Sequence, residues 1–129
     1  TEVEAAIQAA SDGGWNRVMC VFQPHRYSRT AALWQDFARS FDGADTVVVT
    51  DIYSSGETPR PGVTGKLVTD AVLDANAWAS VVWMPRLDDV ASWLASRLRP
   101  GDLCLTLGAG DLTGLPDQVI DRLSGRGAA

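Results

Sequence analysis

The chain has 129 residues, 46% of them apolar and 21% charged, the size and make-up of one globular domain. Its net charge is −5, and Lys66 is the only lysine among eleven basic residues, so no global field draws nucleic acid to it. No run of about 18 apolar residues exists to span a bilayer, and no charged leader precedes an apolar stretch.

In chain order, Thr1 and Glu4 read as a capping box, followed by Val3, Ala6, Ile7 and Ala10 on one helical face and a stop at Gly13-Gly14. A strand is expected over Arg17 to Gln23. Thr30 is expected to cap a second helix with the stripe Leu33, Trp34, Phe37, Ala38 and Phe41, ended by Gly43. Asp45 to Tyr53 holds the β-branched run Thr46-Val47-Val48-Val49-Thr50, which suits a strand covered on both faces.

Ser54 to Thr64, with two prolines and two glycines, reads as a long loop. A helix over Lys66 to Ala77, a strand over Ser80 to Met84 and a helix over Asp88 to Leu98 follow. The Arg99-Pro100-Gly101-Asp102 turn leads into a strand over Leu103 to Leu107. The Gly108-Ala109-Gly110-Asp111 loop and a helix from Leu115 come last, with 126–129 expected as a frayed tail of a domain over 1–125. The alternation implies an α/β fold, a mostly parallel sheet with helices on both faces. The five tryptophans are expected mostly as core or helix-packing residues. Cys20 and Cys104 read as buried free thiols of a reducing compartment, with a disulfide between neighbouring strands as the alternative.

This alternation sends four loops to one edge: Gln23 to Arg29, Asp51 to Arg60, Met84 to Asp88 and Gly108 to Asp111. Open α/β sheets bind ligands at that edge. His25, the only histidine, shares one turn with Arg26 and Arg29, a donor set suited to a carboxylate or phosphate. The plainer alternative is loose surface pairing with acids such as Asp36. Asp51 could hold a metal, accept a phosphoryl group or cap its own loop. Glu57 could touch a substrate or another domain, or be a plain loop acid. Gly108 and Gly110 serve a tight turn or a close backbone approach, and lack the three-glycine dinucleotide pattern. Gly62 to Leu67 fails as a phosphate loop, because Arg60 holds the first glycine position and Leu67 replaces the Ser or Thr. No Ser-His-acid set and no metal-ligand spacing are present, so neither a catalytic residue nor a metal ligand is expected on this chain.

Thr1-Glu2-Val3, Phe22 to Thr30, Asp36-Phe37-Ala38, Asp51 to Glu57 with Pro59, Pro61 and Gly62, and Leu107 to Asp111 together resemble the C-terminal domain of the Mur ligases. The Gln23-Pro24-His25-Arg26-Tyr27 stretch resembles the L-alanine-adding branch, the UDP-N-acetylmuramate:L-alanine ligases. The resemblance implies a Rossmann-like lobe that delivers an amino acid in a cytoplasmic ligase of peptidoglycan precursor synthesis. It implies ATP and Mg²⁺ bound mainly by a central domain absent from this chain, which also lacks the N-terminal uridine-nucleotide domain. It also implies an acyl phosphate of UDP-N-acetylmuramate attacked by L-alanine. The implied partners are these substrates and the other two domains, with no nucleic acid and no membrane. His25, Arg26, Arg29, Tyr53, Glu57, Gly108, Ala109, Gly110 and Asp111 are the implied substrate-binding residues. The chain lacks an initiator methionine, opens inside a helical pattern and is expected to be an inactive piece of the longer ligase. A paralogue of other amino-acid specificity and a non-catalytic α/β binding module are the alternatives.

Overall fold

A computed structural model describes residues 2–108 and 110–128, the last three as backbone only. Thr1, the expected N-cap, and Ala109 of the glycine loop lie outside the described residues.

Four parallel strands form the sheet: β1 (Arg17–Phe22), β2 (Thr46–Val49), β3 (Val81–Trp83) and β4 (Asp102–Leu107), in the order β3-β2-β1-β4. The helices are α1 (Glu2–Ser11), α2 (Tyr27–Leu33), α3 (Lys66–Ala75), α4 (Leu87–Arg97) and α5 (Leu115–Ala128). Side chains alternate across a strand, and β1 shows why its sequence has no polar alternation. Met19 and Val21 pack with α4 and α5 residues Val90, Leu94, Leu115 and Val119. Cys20 and Phe22 pack on the other face with Ile7 of α1 and Val68 and Val72 of α3. Both faces are covered, as the β-branched run implied. Arg17 and Asp102, register partners on β1 and β4, close the lower rim through a forked pair at 3.1 and 2.6 Å.

The second helix departs from expectation. It begins at Tyr27, three residues before Thr30, and Thr30 is buried inside it with its hydroxyl donating to the Arg26 carbonyl at 2.8 Å. A local cap is unnecessary because the Glu57 carboxylate arrives from another loop. The expected stripe to Phe41 is also not one helix. After Leu33 the chain tightens into a 3₁₀ turn (Trp34–Phe37) and further turns up to Gly43. Phe22 holds Phe37 and Phe41 at ring distances of 5.1 and 5.2 Å, and this aromatic packing outweighs weak helix propensity there.

Trp34, Trp83 and Trp93 pack against the core, whereas two tryptophans are exceptions: Trp78 is 95% exposed and Trp15 49%. Both sit in the short turns entering β3 and β1, where the strand ends leave no second layer to cover them. The backbone of α5 remains helical through Ala128, so helix occupies 126–128 of the expected tail, whose last residue, Ala129, lies outside the described residues; each added residue gains a backbone bond for the dihedrals it fixes. The cysteines are free; although they lie on paired strands, Cys20 faces the α1 core and Cys104 the α4 core, which rules out a bridge.

Candidate functional site

In a sheet of this order, β1 lies between β2 and β4, and the chain turns opposite ways after β1 and β3. The crevice beyond the carboxyl ends of β1 and β4 is the topological switch point. All strands are parallel, so the four expected loops do share that rim.

The β1 loop is braced by the β2 loop. Tyr53 N–H donates to the Pro24 carbonyl at 2.9 Å, and Arg26 N–H donates to the Tyr53 carbonyl at 2.8 Å. His25 and Tyr53 form an isolated parallel bridge, and their rings lie nearly parallel with centroids 6.0 Å apart. Arg26 adopts φ 66°, a left-handed conformation that a non-glycine residue keeps only when its surroundings impose it.

Glu57 completes the brace. Its carboxylate accepts from the Ser28 backbone N–H at 3.0 Å and from the Ser28 hydroxyl at 2.5 Å, which caps α2 from a different loop. The Ser28 hydroxyl, the Ser28 and Tyr27 N–H groups and the Arg60 charge hold the Glu57 carboxyl below its usual range, against a smaller opposing effect of burial. The anion at the start of α2 is therefore the protein's own.

Arg26 and Arg29 are exposed, and the ion pairs among the described residues are Arg17–Asp102 and Lys66–Asp70. The loose pairing of these two arginines with acids is thus not formed. Gly110 lies against Tyr53, where a side-chain carbon would clash with the ring. Gly108, at φ 147°, presses on Gln23, with only 3.0 Å from a built Cβ to the Gln23 carbonyl oxygen. Both glycines thus serve close approach.

Beside this turn, a cleft of about 500 Å³ opens between the loops after β2 and β3 and the ends of β1 and β4. Tyr53 and Asp111 line it, whereas His25, Arg26, Arg29 and Glu57 do not. Asp51, also on its wall, accepts from the neighbouring Ile52 N–H at 2.9 Å, the loop-capping alternative. Gln23 is a site residue that the sequence pattern did not single out. It is 5% exposed, and its amide nitrogen donates to Asp111 at 2.5 Å. The available signal was a polar side chain ending an otherwise apolar strand.

The described residues contain no group of three or more His, Cys, Asp or Glu able to hold a metal ion. Gly65 is buried against the Thr50 carbonyl, so its backbone is closed to a phosphate. Among the described residues no helix is long and apolar enough to cross a membrane.

A parallel α/β sheet with its loops gathered at one switch point defines a Rossmann-like domain. The family described as "Mur ligase, glutamate ligase domain" matches residues 1–110, and the chain belongs to it. UDP-N-acetylmuramate–L-alanine ligase of Desulforamulus reducens is 45% identical over 95% of this chain and 26% of its own length. The enzyme of the same name from Halorhodospira halophila is 45% identical over 99% of this chain and 26% of its own length. The chain thus spans about a quarter of the curated relatives it matches. Among solved structures, a murein peptide ligase of Psychrobacter arcticus superposes with TM-score 0.71 at 13% identity, over 94% of this chain and 25% of that one. A ligase domain from Haemophilus ducreyi gives 0.62 at 20% identity, over 95% of this chain and 81% of that one. At these identities the two structures bear on fold alone.

Proposed function

We propose that this chain is the amino-acid-delivering lobe of an ATP-dependent, cytoplasmic ligase that joins L-alanine to UDP-N-acetylmuramate. The observation that carries this reading is the turn at the switch point, where Arg26 and Arg29 stand exposed, without acidic partners among the described residues, next to His25. The curated relatives, named for the same two substrates, support it. ATP and Mg²⁺ belong to the parts of the longer ligase outside this chain.

This chain's own contribution is positioning. The guanidiniums of Arg26 and Arg29, with the His25 imidazole, hold the carboxylate of L-alanine, whose methyl group offers no other handle. The brace from Tyr53 and Glu57 keeps the turn rigid, so the amine is presented in one direction toward the activated carboxyl. Orienting two reactants in this way is worth several kcal/mol of barrier when the geometry is close to attack.

The test is kinetic. In the full-length ligase, Arg26→Ala or Arg29→Ala is expected to cost about 2–5 kcal/mol in kcat/KM for L-alanine, as loss of one partner of a desolvated charge pair does. Unchanged kinetics would remove the turn from the site. The isolated 129-residue chain is expected to consume no ATP with both substrates supplied.

A further inference from the structure

The end of the sheet opposite the rim carries a second cleft, of about 390 Å³. It lies where β2 and β3 begin and α3 ends. The buried side chains of Phe41, Val47 and Val72 form its floor, and Arg39, Asn76 and Ala79 stand at its edge. The turn that supplies Asn76 and Ala79 also displays Trp78, the most exposed large apolar side chain among the described residues.

That turn is braced. Trp78 N–H donates to the Asn76 side-chain carbonyl at 3.0 Å, and Ala79 N–H donates to the Asn76 main-chain carbonyl at 3.0 Å. Asn76 N–H in turn closes the end of α3 on the Val72 carbonyl at 3.0 Å. A side chain carried on an ordered turn loses little further freedom when a partner binds it. Tryptophan is also among the residues on which binding energy concentrates.

We propose that this face docks a second copy of the chain, each Trp78 seated in the cleft of its partner. Knob and socket share one wall, the turn from Asn76 to Ala79, so a single two-fold axis beside it satisfies both contacts at once. The socket has room, since a cavity of about 150 Å³ already admits benzene. Its chemistry also matches. Arg39 is exposed and makes no ion pair among the described residues, and a guanidinium within about 6 Å of an indole face is attracted to it. On the functional reading above, the other parts of the longer ligase meet the rim, which leaves the amino ends of the strands to this contact. Area sets the strength. Two indoles bury about 300–500 Å² and the walls receiving them a similar amount, short of the roughly 1,200 Å² at which stable interfaces begin. The dimer is therefore weak and reversible, with a dissociation constant of roughly 10–100 µM.

Sedimentation velocity of the full-length ligase, from well below to well above that concentration, should show monomer passing into dimer and nothing larger. Trp78→Ala, at a position too exposed to disturb the fold, is expected to raise the dissociation constant about thirtyfold or more, as loss of an interface anchor does. Arg39→Glu, on the socket side, is expected to raise it about tenfold. A monomer at every concentration overturns the proposal, because a second copy then does not cover this face. A dimer that either substitution leaves unchanged overturns it too, since the copies then meet elsewhere. Species that keep growing with concentration overturn the two-fold arrangement. None of these readouts depends on binding of L-alanine, so this proposal and the functional reading can fail separately.

Discussion

Replacing Gly110 by alanine separates the function of the rim from the stability of the fold. Gly110 has φ −127°, outside the left-handed region that favours glycine, while its ψ of −139° lies beyond the usual β region and adds a modest backbone cost for alanine. The added methyl would also clash with the Tyr53 ring. Tyr53 is 38% exposed and can swing toward solvent, giving up its stack on His25. Such ring pairs are worth about 0.5–1.5 kcal/mol, so the expected loss of stability is of that order, a fall in Tm of a few degrees. The site suffers more, because the same ring forms the cleft wall and carries the Arg26 N–H contact on its backbone. We expect the KM for L-alanine in the full-length ligase to rise about tenfold, equivalent to about 1.4 kcal/mol. Gly65→Ala is the contrast: its methyl would meet the Thr50 carbonyl, main chain at the end of β2 that cannot swing away. That overpacking should cost about 3 kcal/mol or more. Urea denaturation of the domain and initial-rate kinetics of the ligase read the two effects separately. If Gly110→Ala destabilises as much as Gly65→Ala, Tyr53 is not free to swing; if the KM is unmoved, Tyr53 is not a wall of the site.

Glu57→Gln tests the cap through pH. The folded Glu57 carboxyl lies below its ordinary value of 4.5, so its stabilising effect is present above that value and is lost as pH falls through the folded value. Wild type should therefore exceed Glu57→Gln in urea stability at pH 7 and converge with it in acid; a gap constant with pH refutes the assignment. Leu94→Ala empties a fully buried position between α4 and the sheet and should cost about 2–5 kcal/mol by thermal or urea unfolding. Burial pushes the thiol of Cys20 up to about 12 and that of Cys104 up to about 11. Neither should react with a thiol reagent at pH 8 until the protein unfolds, and rapid labelling of the native protein would contradict this.

The strands and the two-faced core were legible because β1 and β2 are continuous apolar runs bounded by turn residues, a pattern that allows little else. The rim was legible for the same reason, since strand polarity alone sends the His25 turn and the Asp111 loop to one edge. The start of α2 was not. Thr30 carries the local signature of a cap, but Glu57, 29 residues from Ser28 in sequence, performs the task, and no local pattern announces a contact across two loops. The Gln23–Asp111 pair, 88 residues apart, was hidden in the same way. Turn composition foretold that glycines would be needed at 108 and 110; it could not say that Gln23 and Tyr53 are the groups they make room for.

The latch between Glu57 and Ser28 constrains how acceptor selectivity can be altered. With the Ser28 and Tyr27 main-chain amides already turned to Glu57, an arriving acid group must be met chiefly by flexible basic side chains. Shape, as well as sign, then decides recognition: lysine at 26 or 29 preserves the charge yet forfeits the planar two-pronged grip, and it should behave more like a deletion than a conservative exchange.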